Sequence, residues 1–354
     1  MLSTEAKLAD KTFAVQSLSQ PQARELADIA EEFSLGEFCS AAGLHRESAE
    51  PFFIMETKRG KFIVSIEGFK SENEVKHDIE LLLFLRRHGF QCLQPLKSRG
   101  GQHYLHTDGR FISASRNIDG NEVPVGSLTP AQLSAVGHVL ADLHLIGRGY
   151  KKGVENRFSF PRVASIYQEV RKNLPAHLRT IVRVLDDEVN YLEGYLDNNL
   201  PKGIIHGNLS WESMKFKGSR LVGIMNFDRA CRGKFICDLA TTVNAVCYYD
   251  GRYRLDRFED LILGYEGLRP LSLPEWDSFP NELRFSALRT AVTSLHDFYL
   301  RENGERQRIQ RTFIDFFERL LILRREKDGG MEDLLLSMAT GYDYRKYQKS
   351  KPSR

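Results

Sequence analysis

The sequence predicts an α+β protein with a small β-rich first part and a larger, mainly helical second part. Two observations lead to this class. The runs with strand character lie before residue 119, on either side of one helical pattern: PFFIMET (51–57), KFIVSIE (61–67), HYLHT (103–107) and RFISASRNI (110–118). From residue 129 onward the chain is dominated by helical periodicity, with only short apolar runs between residues 203 and 227.

Length and composition narrow the class of protein. At 354 residues the chain can bury two cores, and 42% apolar with 27% charged residues is ordinary for a globular protein. A net charge of +3 gives no indication of nucleic-acid binding. The five cysteines form no CxxC pair, which predicts buried thiols rather than a zinc site. Without a signal-like or membrane-spanning apolar run, we expect a cytoplasmic protein that binds neither membrane nor nucleic acid.

Helix signals order the first part, which we expect to span residues 1–118. A helix is predicted over QPQARELADIAEEF (20–33), and the two strands that follow it meet at the turn Arg59-Gly60. The next helix begins after Ser71, with Glu74 completing a capping box, and ends at Gly89. Its apolar stripe consists of Val75, Ile79, Leu82 and Leu83. The last two strands flank a DG turn, so the elements form a small lobe.

The second part is expected over residues 119–340, after a hinge near residues 116–122. Its first helix has Thr129 as the N-cap, Pro130 at the first helical position and Gln132 completing the box. GIIHGN, MKF and LVGIMNF are predicted as short strands within this helical region. The final residues 341–354 are basic, lack apolar periodicity and are expected to form a flexible tail.

Two segments of the second part resemble the conserved segments of a known family. GIIHGNLSWESMKF and LVGIMNFDRACRGKFICDLA resemble the catalytic core of aminoglycoside phosphotransferase-like small-molecule kinases, and most of all type II homoserine kinase. The segments FLRRHGFQCLQPL, ADLHLIGRGY, CDLATTVNAVCYYDG and LILGYEGLRPLS are similar to the same family in the same order. The resemblance implies a two-lobed protein-kinase-like fold and Mg²⁺- and ATP-dependent transfer of a phosphoryl group to an alcohol.

Three positions depart from the family pattern. The family has an Asp as general base, an Asn five residues later and a second Asp, the last two of which hold Mg²⁺; here they correspond to Asn208, Ser213 and Asn226. An amide is neutral and cannot serve as a base near pH 7, and base assistance contributes about 10²–10⁴-fold. Mg²⁺ prefers charged oxygen ligands, so the neutral replacements are expected to weaken its site.

Neighbouring residues match the family or offer substitutes. The resemblance gives His206 a role in bracing the loop and Asp238 a role in anchoring it. If LVGIMNFD is extended, Asn226 and Asp228 lie on one face, and Asp228 is then a possible substitute metal ligand. Glu212 is a second candidate carboxylate. The alternative for both acidic residues is an ordinary surface position.

The nucleotide side of the resemblance has fewer matches. Ser65 lies where many kinases have a phosphate-pairing Lys, and Lys61 shares its face four residues upstream, although an exposed turn lysine is the alternative. Glu80 matches the glutamate of the small-lobe helix, or simply lies on the polar face of that helix. Glu47 and Glu50 would repel a polyphosphate.

Three functional hypotheses follow from these residues. The first is a pseudokinase that has lost phosphoryl transfer and binds a protein partner or small ligand in the cleft between the lobes. The second is a divergent but active ATP-dependent kinase for an alcohol or amino alcohol, and the third is a metabolite-binding sensor. Mg²⁺ and ATP are the expected cofactors only if nucleotide binding is retained.

Overall fold

The computed structural model describes residues 19–44, 52–153, 155–196, 199–300, 306–325 and 335. The chain divides into two compact units, and the first break falls between Gly120 and Asn121. The segment Val222–Asp228 belongs to the first unit, and the residues from Arg229 onward return to the second. Glu47, Glu50 and the basic tail 341–354 lie outside the described residues, so the predictions made for them stay predictions.

Two helices of the first unit begin at capping boxes. In α1 (Gln20–Glu32) the N-cap Ser19 pairs with Gln22, and in α2 (Glu72–Arg87) Ser71 pairs with Glu74, whose carboxylate accepts from the Ser71 backbone at 2.9 Å. After α2 the chain turns at Gly89, whose φ of +85° favours glycine. Both predicted helices are confirmed.

An antiparallel sheet forms the rest of the first unit. Its strands run in the order β1-β2-β3-β6-β4, and β5 also pairs with β6. The bounds are β1 (Phe38–Leu44), β2 (Phe52–Thr57), β3 (Gly60–Glu67), β4 (Gln94–Pro95), β5 (Leu105–Thr107) and β6 (Arg110–Arg116). Leu26 and Ile29 of α1 and its C-cap residue Phe33 pack on the sheet. Their partners there include Met55, Val64 and Ala114. The four predicted strands are present, whereas β1 and the two-residue β4 were not predicted.

The second unit is mainly helical, as predicted. Thr129 caps the first of its helices and forms the predicted box with Gln132. The helices are α3 (Pro130–Gly147), α4 (Phe160–Arg171), α5 (Arg179–Tyr195), α6 (Phe235–Val246), α7 (Leu255–Glu266), α8 (Leu273–Leu300) and α9 (Arg306–Arg325). No helix in the described ranges is both long and apolar enough to cross a bilayer.

Glycines let α3 and α7 approach each other closely. A Cβ atom at Gly137 of α3 would lie 2.0 Å from the Leu261 carbonyl oxygen, and one at Gly264 of α7 would lie 2.1 Å from the Ser134 carbonyl oxygen. Neither distance allows a side chain, so this packing requires glycine on both helices. The contact fixes the position of His144, which lies further along α3.

The remaining strands of the described residues form three short antiparallel pairs. β7 (Lys202–Ile205) pairs with β10 (Cys231–Lys234), β8 (Met214–Lys217) with β9 (Arg220–Ile224), and β11 (Tyr248–Tyr249) with β12 (Arg252–Tyr253). β9 runs from the second unit into the first. The predicted class, α+β with a β-rich first part and a mainly helical second part, is confirmed.

Candidate functional site

The loop after β7 has a backbone that requires glycine. The antiparallel pair of Ile205 with Cys231 ends the short ladder, and Gly207 then turns with φ +79°. A Cβ atom at Gly207 would lie 2.5 Å from the carbonyl oxygen of Arg229. The path of residues 206–208 is therefore set by the backbone of Arg229, which ends the 3-10 turn before β10.

The carboxylate of Asp238 holds the backbone of this loop through hydrogen bonds. It lies in the first turn of α6 and is 0% exposed. One carboxylate oxygen accepts from the His206 backbone N–H at 2.8 Å, and the other accepts from the Gly207 N–H at 2.8 Å. Two buried backbone donors that a turn would otherwise leave unsatisfied are thus hydrogen-bonded to one charged group.

A chain of buried side chains continues from Asp238. His144 Nε2 lies 3.2 Å from Asp238 Oδ2, and its Nδ1 lies 2.7 Å from the Tyr265 hydroxyl. Arg269 donates to the same hydroxyl oxygen at 2.9 Å and to Glu275 at 2.6 Å. We call these five residues, Asp238, His144, Tyr265, Arg269 and Glu275, the Asp238 cluster. Its members come from four helices or their ends, so the cluster ties the loop to the helical core.

The protonation states in the Asp238 cluster follow from the geometry. Burial lowers the pKa of His144, so this imidazole is neutral at pH 7. The neutral ring donates through Nε2 to Asp238 and accepts at Nδ1 from Tyr265, whose oxygen takes the Arg269 hydrogen bond. Burial alone would raise the pKa of Asp238, but the hydrogen bonds from His144 and the His206 backbone hold it below its ordinary value. Asp238 is therefore ionised.

Asn208, at the position of the family's general base, comes directly after the two residues whose backbone N–H groups donate to Asp238. His206 is fully buried, and its Nδ1 accepts from the Asn208 backbone N–H at 3.3 Å. Asn208 itself is half-buried. The loop thus keeps an ordered place for a side chain at 208, but the group that occupies it is a neutral amide.

Ser213 and Glu212 lie in the next turn. The 3-10 turn Trp211–Ser213 leads into β8, and the Ser213 N–H donates to the Ser210 carbonyl at 3.0 Å. Ser213 is 2% exposed, whereas Glu212 is half-buried. A buried hydroxyl therefore stands where the family has the amide of a metal ligand.

The expected extended path through Asn226 and Asp228 is wrong. β9 ends at Ile224, Asn226 has φ +63°, and Phe227–Arg229 form a 3-10 turn. The two side chains therefore do not share a strand face, because the alternation of a strand stops before them. Asn is among the few non-glycine residues that adopt this left-handed conformation readily. Asp228 is half-buried in the turn.

The nucleotide candidates of the first unit lie on β3 and α2. Ser65 is half-buried and pairs with Phe52 and Ser113, whereas Lys61 is exposed opposite Glu56. Glu80 is exposed on α2. Their predicted contacts with a nucleotide stay predictions.

One charged group in the first unit was not predicted. Lys70 Nζ lies 3.0 Å from Glu67 and 2.9 Å from Asp78, and its side chain is 17% exposed. Burial raises the pKa of Asp78 to about 6, opposed by Lys70 and assisted by the negative charges of Glu67 and Asp228. No local pattern indicates this trio, because Lys70 lies in a loop between β3 and α2 and meets its partners only in the folded unit.

The donor set at the family's metal positions does not fit Mg²⁺. The family uses a carboxylate and an amide, and Ser213 and Asn226 offer a hydroxyl and an amide, both neutral. Among the residues that the structure describes, no three His, Cys, Asp or Glu side chains form a group that could hold a metal ion. These residues therefore do not make the kind of Mg²⁺ site that the family uses.

Comparison with known proteins gives the family. Residues 44–271 match the model of the phosphotransferase enzyme family. A homoserine kinase of Methylobacterium radiotolerans is 30% identical over 282 residues, which cover 77% of this chain and 85% of that protein. A homoserine kinase of Rhodopseudomonas palustris is 29% identical over 279 residues, covering 78% of this chain and 84% of that protein.

Solved structures agree on the fold. An amicoumacin kinase has a TM-score of 0.64 at 13% identity, covering 92% of this chain and 96% of the other. A microcompartment-associated aminopropanol kinase has a TM-score of 0.65 at 16% identity, covering 85% of this chain and 97% of the other. At such identities the likeness shows the kinase-like fold alone. With residues 44–271 matching the family model, the chain belongs to the phosphotransferase enzyme family.

Proposed function

We propose that this chain is a homoserine-kinase-like pseudokinase, which keeps the fold of its family for binding and has lost phosphoryl transfer. One observation carries the proposal. The support of the catalytic-loop equivalent is complete, with Asp238 accepting from both His206 and Gly207 at 2.8 Å, while the side chain presented next, Asn208, has no charge.

The chemistry of phosphoryl transfer explains why the residues at these positions favour a loss of kinase activity. Phosphoryl transfer depends on positioning the acceptor and neutralising the charge on the phosphates, with a carboxylate orienting the hydroxyl. Asn208 lacks the carboxylate, and Ser213 and Asn226 lack the charge that a bound Mg²⁺ needs. Three changes at chemically distinct positions act in the same direction. We further propose that the protein is cytoplasmic and that it binds a protein partner or a small-molecule ligand.

An active, divergent kinase is the second candidate. The relatives that are named homoserine kinases support it, because they are 29–30% identical over more than three quarters of the chain. Asp228 and Glu212 supply carboxylates near the altered positions in the sequence. A metabolite sensor without nucleotide is a third candidate, and it shares with the first the absence of turnover.

The first test measures ligand binding through thermal stability. Melting temperature is recorded with ATP, with ATP plus Mg²⁺ and with Mg²⁺ alone, since a ligand that binds only the folded state raises stability by mass action. The pseudokinase proposal predicts no Mg²⁺-dependent shift. A shift that needs both ATP and Mg²⁺ favours the divergent kinase instead.

The second test measures transfer of the γ-phosphate to L-homoserine and related alcohols. We expect none from the natural chain. The combined variant Asn208→Asp, Ser213→Asn and Asn226→Asp restores the family pattern and is expected to gain Mg²⁺-dependent ATP binding. Asn190→Asp, on the exposed side of α5, adds a negative charge elsewhere and serves as the control. Transfer by the natural chain that vanishes on Asp228→Ala would overturn the proposal.

A further inference from the structure

A cleft of about 790 Å³ lies in the first unit between α1 and the β5–β6 hairpin. Its floor is apolar and consists of Ile29, Leu105 and Ile112. One wall is a row of exposed side chains that recur every four residues along α1, from Gln20 to Glu32. The other wall is the hairpin itself. We call this feature the α1–β5 cleft, and none of the sequence-predicted site residues lines it.

β5 presents a strand edge to the α1–β5 cleft. The two-residue turn Asp108-Gly109, with φ of +49° and +71°, joins Thr107 to Arg110, which makes these two a hydrogen-bonded pair. The alternation of an antiparallel ladder then points the N–H and C=O of His106 away from β6. The His106 ring stacks on Phe111 at 4.4 Å, on the face of the sheet that carries α2. His106 therefore lines the cleft with its backbone.

A strand edge beside an apolar floor is suited to an extended peptide segment. The outward N–H and C=O groups can form the hydrogen bonds of an added strand, while alternate side chains of that strand reach the floor. Outside the β5–β6 ladder, the backbone of His106 has no hydrogen bond to another backbone group in the described part of the chain. The edge is therefore open to a further strand.

The charges of the cleft favour a basic segment at one end. Its lining includes four carboxylates and two guanidinium groups. Arg110 pairs with Glu25 at 2.8 Å, which ties β6 to α1 and balances one charge of each sign. Arg24 lies near the start of α1, whereas Asp28 and Glu32 lie toward its end, are exposed and form no ion pair within the described ranges. The end of the cleft beside the last turns of α1 is therefore acidic.

The described chain begins at the opposite end of the cleft. Ser19 caps α1, and Gln20, its first helical residue, lines the cleft. β5 runs in the opposite direction to α1, because the loop before β5 meets the end of α1, where the Arg99 N–H donates to the Glu32 carbonyl at 2.7 Å. A segment that precedes Ser19 and folds back along α1 therefore runs parallel to β5, and its first residues lie beside Asp28 and Glu32.

Residues 11–18, KTFAVQSL, have the composition that such a position requires. Phe13 and Val15 are two residues apart, so both lie on the same face of an added strand. Lys11 is the single charged residue of the eight, and it lies at the end of the segment that meets the acidic end of the cleft. Eight extended residues span about 26 Å, more than the length of about 18 Å between the first and last residues of α1.

We propose that residues 11–18 dock in the α1–β5 cleft as an added strand parallel to β5. The backbone of this strand pairs with His106, the side chain of Phe13 lies on the apolar floor, and Lys11 lies beside Asp28. The docked segment covers a strand edge that would otherwise pair with an extended segment of another chain. This docking is independent of phosphoryl transfer, so the failure of the pseudokinase proposal leaves it standing, and the reverse also holds.

Hydrogen–deuterium exchange of the full chain tests the docking. The amides of residues 12–16 and of His106 are expected to exchange at least about tenfold more slowly than in the variant Phe13→Asp, which places a charge on the apolar floor. Leu2→Asp introduces the same charge outside the segment and is the control, with exchange expected to match that of the natural chain. Exchange of residues 12–16 in the natural chain at the rate of an unfolded peptide would overturn the proposal.

A pair of variants at His106 tests the strand edge. His106→Pro removes the outward N–H that the added strand accepts from, whereas His106→Ala removes the same ring and keeps that N–H. Residues 12–16 are expected to lose about tenfold in protection in the proline variant and to keep it in the alanine variant. Equal protection in the two variants would overturn the proposal. If the proline variant does not fold, as its melting curve would show, the comparison with Phe13→Asp decides.

Protein concentration distinguishes the possible occupants of the cleft. An internal segment gives the same protection of residues 12–16 and of His106 at about 1 μM and about 100 μM protein, and this is the expected result. Protection that appears only at the higher concentration indicates a second copy of the chain. Protection of His106 without protection of residues 12–16 indicates a different occupant. Either of the last two results would overturn the proposal.

Discussion

The Asp238 cluster and the three altered motif positions differ in what the chain has preserved. In the cluster every charged group has its partner, and burial is complete at Asp238 and His144. At Asn208 and Asn226 the backbone also has a specific conformation, with a hydrogen bond from the Asn208 N–H to His206 and a φ of +63° at Asn226. The side chains of Asn208, Ser213 and Asn226 are, however, neutral. The support of a catalytic loop and the groups that react on it are therefore separable, since the first depends on buried hydrogen bonds and the second on charge.

The largest expected effect comes from Asp238→Asn. The amide keeps the shape of the carboxylate but has one acceptor oxygen for three N–H donors, and its NH₂ group faces one of them. We expect a loss of about 3–5 kcal/mol in the free energy of unfolding, measured by urea denaturation. Asp277→Asn makes the same change at an exposed position of α8 and should stay within about 0.5 kcal/mol. Equal effects of the two variants would show that the cluster does not support the loop.

The pH dependence of stability is expected to differ between the Asp238 cluster and the group formed by Lys70, Glu67 and Asp78. Folding raises the pKa of Asp78 from 3.8 to about 6, so its contribution is greatest at acid pH and is lost as pH rises through about 6. Burial lowers the pKa of His144 below its ordinary 6.5, so its contribution is present at neutral pH and is lost as pH falls. As pH falls below about 6, the contribution of Asp78 therefore grows while that of His144 is lost.

Asp78→Asn separates these contributions. Without the carboxyl of Asp78, stability is expected to fall more steeply on acidification from pH 7 to 4, by about 2 kcal/mol relative to the natural chain. Urea denaturation at several pH values measures the difference, with Asp277→Asn as the control. Parallel pH profiles for the natural chain and Asp78→Asn would contradict the assignment.

How far the sequence predicts these features depends on how local their causes are. The helices at Ser71 and Thr129 were predicted because each cap and its partner lie three residues apart. β1 was missed because FCSAAGL has small residues and no clear alternation. The partners of Asp238 were also missed, since His144 lies 94 residues away in the chain and meets it only through helix packing.

The same reasoning explains the error at Asn226. Nothing in LVGIMNFD marks the end of the strand, so period-two alternation predicts an extended path through Asn226. The structure ends β9 at Ile224 and gives Asn226 a left-handed backbone. An Asn tolerates this conformation, whereas the comparison with the family pattern indicates only the loss of a carboxylate at this position. One residue can thus have a conformational role and a chemical role, and the sequence indicated the second.

Asn226→Val tests the conformational role. A β-branched side chain at φ +63° is strained, so we expect a loss of about 1–2 kcal/mol in the free energy of unfolding. Asn226→Asp and Asn226→Gly tolerate the same backbone and are expected to change stability by less than about 0.5 kcal/mol. Thermal and urea unfolding of the three variants measure the order. A valine variant as stable as the glycine variant would contradict the left-handed assignment.

The smallest expected effect is that of Asn208→Asp, the reverse of the change at Asp238. Asn208 is half-buried, its backbone N–H donates to His206 whatever the side chain, and the two side chains have nearly the same shape. We expect a change below about 1 kcal/mol in the free energy of unfolding, compared with about 3–5 kcal/mol for Asp238→Asn. If a carboxylate at 208 is tolerated this well, stability does not explain its absence, and the amide reflects a lost chemical requirement. A large destabilisation by Asn208→Asp would instead mean that the amide itself holds the loop, and the separation of support from chemistry would fail at this position.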